Sequence, residues 1–231
     1  MKNKINFLKT NTNISEEYSP VPAKNILPDW YKKTESYSSN NKYMYNMSKN
    51  STVKKCMPVF DSISSGYLIR LHCDLYIKYN GVSYEFKPSL EEIPAVEFHP
   101  KKQVEEYPFD KDSYLMLPKI INYWGIKTRP GYSSLILPPA HRDNVISILP
   151  GIVDTDSYNA PVHFPFLVGK DRYTGLIKAG TPIAQVIPFK RESWQMAIEE
   201  DLIVKGKTDT KILSVFYNGY KNLFWNKKDY S

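Results

Sequence analysis

Short apolar runs, cut every few residues by proline or glycine, leave this chain few ways to fold between Gly66 and Arg191. Val82–Phe86, Ala95–Phe98, Ser113–Met116, Tyr123–Lys127, Tyr132–Leu137, Val162–Val168 and Ile183–Phe189 are each too short for a helix and rich in β-branched or aromatic residues. The 17 prolines and 10 glycines fall largely between such runs. Closely spaced short strands favour a sandwich or barrel over alternating βαβ units. Gly66–Tyr79 reads as one long strand that alternates from Arg70. Arg70, His72, Asp74, Tyr76 and Lys78 lie on one face, Leu71, Cys73, Leu75, Ile77 and Tyr79 on the other. Asn80-Gly81 predicts a two-residue hairpin turn, because both positions tolerate positive φ. His72 is expected to be a half-exposed strand histidine on the polar face. Pro161 and Pro165 place Val162–Val168 at an edge or a kink, and Pro188 is expected to stop the last strand.

The flanks differ. Ile5, Phe7 and Leu8 suit one short strand or helical turn. Pro20-Val21-Pro22 then forces an extended path, and Pro28-Asp29-Trp30 reads as a helix start. Residues 34–51 lack periodicity. Beyond the β region, 192–201 reads as a short helix, and 208–226 as an amphipathic one, with Ile212, Val215, Phe216, Gly219 and Leu223 on a stripe. Three segments follow: a Pro-rich strap and polar loop at 1–52, an all-β core at 53–191, and a helical extension at 192–231.

Charge and cysteines narrow the function classes. The net charge of +7 permits an acidic partner such as nucleic acid. The lysine pairs at 32–33, 54–55, 101–102 and 227–228 are dispersed, so no basic cluster indicates one. Cys56 and Cys73 form no disulfide framework. No apolar stretch is long enough for a membrane span, and none reads as a signal peptide.

Two motifs carry a resemblance. Gly151-Ile152-Val153-Asp154-Thr155-Asp156-Ser157-Tyr158, followed by Gly180-Thr181-Pro182-Ile183-Ala184-Gln185, resembles the third motif and last core strand of trimeric dUTPases and dCTP deaminases. The resemblance implies a β-clip, a distorted sandwich of short strands that commonly trimerises, here with a C-terminal amphipathic helix. It implies Asp154 as a water-orienting carboxylate beside Asp156, Tyr158 as the stacking aromatic, and Mg²⁺ as the cofactor of a nucleotide enzyme. The family's Pro-Arg-Ser-Gly phosphate motif is missing; Leu137-Pro138-Pro139-Ala140-His141-Arg142-Asp143 stands in its place. The deaminase Arg-Ser-Ser motif and the Gly-rich C-terminal lid are also absent. Without an arginine and amides to neutralise a triphosphate, such a site loses most of its electrostatic binding. The competing reading of Asp154, Asp156 and Tyr158 is turn chemistry.

Arg129-Pro130-Gly131-Tyr132-Ser133 and Pro188-Phe189-Lys190-Arg191-Glu192, taken with these motifs, also resemble uncharacterised phage and bacterial proteins. That likeness implies a viral setting, in the host cytoplasm or the virion. A third reading comes from His141-Arg142-Asp143, which matches the His-x-Asp element of iron- and 2-oxoglutarate-dependent oxygenases. His163 would complete an Fe²⁺ site and Arg172 would hold the co-substrate carboxylate. The leading expectation is a non-enzymatic structural or binding protein, with a protein partner or self-association, a homotrimer included. The nucleotide enzyme is the alternative.

Overall fold

The computed structural model describes residues 3–37, 51–108, 114, 116–198 and 219–231. The protein is mainly β, with 14 strands among the described residues, in antiparallel sheets. It divides into two compact units: one of residues 1–21 and 66–191, the other of 22–65 and 192–231.

The first unit contains the sheets. β1 (Asn6–Lys9) pairs with β8 (Trp124–Lys127), Asn6 opposite Lys127. The N-terminal strand expected within the strap is therefore paired in the β core. β3 (Tyr67–Arg70), β9 (Tyr132–Leu137), β11 (Gly151–Val153) and β14 (Pro182–Lys190) form the largest sheet, in the order β11-β9-β14-β3. The two-residue strand β2 (Val21–Pro22) lies at its edge. β4 (Leu75–Tyr79) lies between β5 (Tyr84–Pro88) and β13 (Gly175–Ile177). β6 (Val96–Phe98), β7 (Pro118–Ile120), β10 (Ile146–Ile148) and β12 (Phe164–Val168) form a fourth sheet, ordered β10-β12-β7-β6.

One buried cluster unites these strands. Ile69, Leu71, Leu75, Ile77, Ile120, Ile126, Ile148, Phe166, Ile183 and Val186 all lie within it. Each side chain so buried contributes about 1.5–3 kcal/mol of transfer free energy. Phe166 meets Phe86 edge-on at 5.3 Å between ring centres. Two glycines are needed for close approach. A Cβ on Gly66, at φ +70°, would lie 2.1 Å from the Val186 carbonyl oxygen. A Cβ on Gly125 would lie 2.2 Å from that of Asn159.

The structure corrects several local expectations. The run Gly66–Tyr79 is two strands, β3 and β4, in different sheets. The break falls at Leu71–Asp74, where the Leu71 amide donates to the Thr181 carbonyl and the Asp74 carboxylate accepts from the Ala179 amide at 2.8 Å. These bonds turn the chain from β14 towards β13. Within the break His72 is only 6% exposed, not half-exposed. The turn at Asn80-Gly81 is a four-residue loop, Asn80–Ser83, closing the pair Tyr79↔Tyr84. Asn80 Oδ1 accepts from the amides of Val82 and Ser83, which favours the longer loop. β12 is an interior strand, although it contains Pro165. β7 pairs with it at Phe164–Pro165 and β10 at Phe166–Val168, so the proline sits where one neighbour gives way to the other. β14 runs through Pro188 to Lys190. Pairing with β3 ends at Val186, so one edge of β14 is open at the proline. The expected strand at Ser113–Met116 lies partly outside the described residues.

The second unit is helical. Its α1 (Asp29–Lys33) begins after Pro28, as expected, and buries Tyr31. The ring of Tyr31 lies 6.0 Å from that of Phe60 on α2 (Met57–Ser64). α2 buries Met57 and Ile63. Asp61, also on α2, accepts from Trp225 Nε1 at 3.0 Å and from Lys228 Nζ at 2.6 Å. α3 (Gly219–Leu223) falls within the span 208–226 expected to be an amphipathic helix; residues 224–226 are not helical, and 208–218 lie outside the described residues. The short helix expected over 192–201 is not formed where the chain is described, since 192–198 has no regular structure.

Candidate functional site

The turn after β11 is built by its own backbone. The Ser157 and Tyr158 amides both donate to the Asp154 carbonyl, at 3.1 and 2.8 Å. Thr155 faces inward and is fully buried. Its Oγ1 lies 2.8 Å from Thr128 Oγ1 and 3.0 Å from Ser134 Oγ. Thr128 in turn donates to the Tyr132 carbonyl at 3.2 Å. Each hydroxyl carries one proton, so the chain has one consistent direction: Ser134 to Thr155, Thr155 to Thr128, Thr128 to Tyr132. This buried relay fixes the turn, and Asp154 and Asp156 flank its anchor.

Both carboxylates meet Arg191, the residue immediately after β14. Arg191 donates to Asp156 through Nη1 at 2.9 Å and Nη2 at 2.5 Å, a bidentate pair. Nη1 also donates to Asp154 Oδ1 at 3.3 Å, Ser133 Oγ at 3.0 Å and the Tyr132 carbonyl at 3.1 Å. Ser133 donates to Asp154 at 2.6 Å, and the Gly131 amide donates to Asp156 at 2.8 Å. The Asp156 side chain is only 10% exposed, that of Asp154 61%. The Arg191 hydrogen bonds, then the Gly131 amide, lower the Asp156 pKa to about 2. Asp156 raises that of Arg191 in return. Asp156 is thus a fixed anion inside a closed ion pair, and Asp154 keeps an outward carboxylate. Tyr158 is also half exposed on the same turn. Of the expected nucleotide-site residues, Asp154 and Asp156 meet on Arg191, and Tyr158 shares their turn through its amide's bond to the Asp154 carbonyl.

Arg191 and Ser133 were not among the candidate site residues. Arg191 lies 35 positions from Asp156, and only the pairing of β14 with β9 and of β9 with β11 brings them together. Gln185, the polar residue inside the last strand, is fully buried and accepts from the Ala140 amide at 2.9 Å. It ties the loop after β9 to β14.

The expected iron ligands are not brought together. Among the described residues no group of three or more His, Cys, Asp and Glu could hold a metal ion. Asp143 pairs with Lys170 at 3.0 Å. His163 Nδ1 accepts from the Asn122 amide at 3.2 Å, so its lone pair is used within the fold. His141 stands at φ 52° and Arg172 at φ 49°, both exposed turn residues in the left-handed region. A cleft of about 240 Å³ lies away from the acid pair, lined by Asp143, Asn144, Tyr173, Lys178 and Ile183 among others.

No helix among the described residues is long and apolar enough to cross a membrane. No family model matches the chain, and no curated protein does. Among solved structures, it is similar to a mutant of the Staphylococcus bacteriophage 80alpha dUTPase with dUpNHpp. The identity is 12%, the TM-score 0.36, and the match covers 87% of this chain and 91% of that one.

Proposed function

We propose that this chain is a non-enzymatic binding protein that associates with a protein partner or with its own copies. The observation that carries this reading is an apolar stripe just past β14. Trp194, Met196 and Ile198 recur at every second residue and are 87%, 85% and 86% exposed. In an extended segment that spacing puts all three on one face. Burying each against another surface contributes about 1.5–3 kcal/mol. The Asp156–Arg191 pair supports the same reading, because it spends the acidic residue on holding the end of β14. A viral setting, in the host cytoplasm or the virion, is part of the same proposal.

Asp154 supports a second reading, a dUTPase-related nucleotide enzyme. Its carboxylate reaches solvent beside Tyr158. One pair of measurements separates the two. Purified protein is incubated with deoxynucleoside triphosphates and Mg²⁺, and pyrophosphate release and deamination are followed. Sedimentation velocity is run over a range of concentrations on the protein and on a variant with serine at 194, 196 and 198. Association that the serine variant loses, without turnover, supports the binding reading. Turnover that Asp154→Asn abolishes overturns it.

A further inference from the structure

Two edge strands of different sheets line one cleft. β10 is the outer strand in the order β10-β12-β7-β6, and β13 is the outer strand in β13-β4-β5. The cleft of about 240 Å³ is lined by Val145 and Ile146, by Leu176 and Ile177, and by Pro182 and Ile183 of β14. The Val145 carbonyl accepts from the Gly169 amide at 2.6 Å, and the Leu149 amide donates to the Pro165 carbonyl at 2.7 Å. Alternate residues of an antiparallel strand turn their N–H and C=O groups to opposite sides. The groups of 145 and 149 therefore face β12. Those of Ile146 face away from it, where no strand among the described residues pairs. Edge strands usually carry charge or proline that deters a further strand. At other edges β2 has Pro22, β5 has Glu85, Lys87 and Pro88, and β6 has Glu97. β10, Ile146-Ser147-Ile148, and β13, Gly175-Leu176-Ile177, have neither.

The lining selects the occupant. Ile146, Ile177 and Ile183 are buried, and Leu176 is 46% exposed, so the surface offered is apolar. The charges beside it are already matched: Asp143 meets Lys170 at 3.0 Å and Lys178 meets Asp74 at 2.9 Å. A charged residue placed in the cleft would lose water with no counterion left for it. The volume also falls below the ~300–1,000 Å³ usual for a pocket that encloses a small ligand. We infer that the cleft receives one extended, uncharged peptide strand of a partner protein, with apolar side chains at alternate positions. Its backbone pairs with the outward groups of Ile146, and its apolar face covers Leu176. In such strand addition the main chain supplies affinity and the alternate side chains supply specificity. The inference is independent of the apolar stripe at 194–198.

The test is fluorescence anisotropy of a labelled peptide, Thr-Val-Thr-Ile-Thr-Val-Thr, titrated with the full chain. Saturable binding is expected. Controls are the same peptide with its central amides N-methylated, which cannot pair as a strand, and the same peptide with lysine in place of valine and isoleucine. Neither should bind. Leu176→Lys puts a charge on the open edge and should weaken binding of the parent peptide roughly tenfold or more. The bound peptide should slow hydrogen exchange of the Ile146 amide, followed by NMR, in the parent chain and not in Leu176→Lys. Melting curves establish that the variant is folded, and sedimentation velocity without peptide follows self-association. The inference is overturned by absence of binding, by an N-methylated peptide that binds as well as the parent peptide, or by binding that Leu176→Lys leaves intact. Self-association that Leu176→Lys abolishes also overturns it, by giving the cleft to a second copy.

Discussion

Replacing Thr155 by valine removes the middle of the buried hydroxyl relay with almost no change in shape. Ser134, which is fully buried, donates to Thr155 at 3.0 Å, and that acceptor disappears. Thr128 keeps its bond to the Tyr132 carbonyl at 3.2 Å. The Ser134 hydroxyl is then left buried without a partner, at a cost of about 1–3 kcal/mol. In a chain of this size that lowers Tm by about 2–4 °C for each kcal/mol. Urea denaturation of Thr155→Val, Ser134→Ala and the double variant measures it. In the double variant no orphaned hydroxyl remains between the two positions, so its loss should be smaller than the sum of the singles by about 0.5–3 kcal/mol. Additive losses, or a Thr155→Val variant as stable as the parent, would refute the relay.

Acid should open the Asp156–Arg191 pair. The Asp156 pKa is held at about 2 in the fold, below its ordinary 3.8. Its contribution is therefore complete above about pH 4 and is lost as pH falls towards 2. Asp156→Asn should flatten the dependence of Tm on pH across that window while lowering Tm at neutral pH. His72 titrates in the opposite chemical sense. Burial lowers its pKa below 6.5, the Ile93 backbone partly offsets this, and Nε2 has no hydrogen-bond partner. The unfolded chain thus binds the proton more readily, and stability falls as pH drops below about 6.5. His72→Phe should remove that part of the pH dependence, as differential scanning calorimetry between pH 7.5 and 5 would show. Gly66→Ala should lose several kcal/mol, about 1–2 from the left-handed conformation and the rest from the clash with Val186. A soluble variant with parental Tm would show that the loop before β3 can move away.

The sequence alone determined part of the strand inventory; β7, β10 and β13 are not among the runs it marks. Tyr132–Leu137 is strand β9 to the residue, because glycine and proline bound a run of one aromatic, two small and three aliphatic residues too short for a helix. The mainly β class follows from such boundaries, which are local. So do the start of α1 after Pro28 and the Asp154–Tyr158 turn. Assignment of strands to sheets is not local. Nothing between Gly66 and Tyr79 marks where the chain leaves one sheet for another; the bonds of Leu71 and Asp74 to residues 178–181 decide it. Helix α2 was also illegible, since a short apolar run of that kind suits strand or helix equally. Arg191 reads as one of 31 scattered cations until β14 and β9 pair and bring it onto two carboxylates. The cleft between β10 and β13 shows the same limit. Whether a strand has an open edge depends on which strands pair with it, and only the tertiary structure sets that.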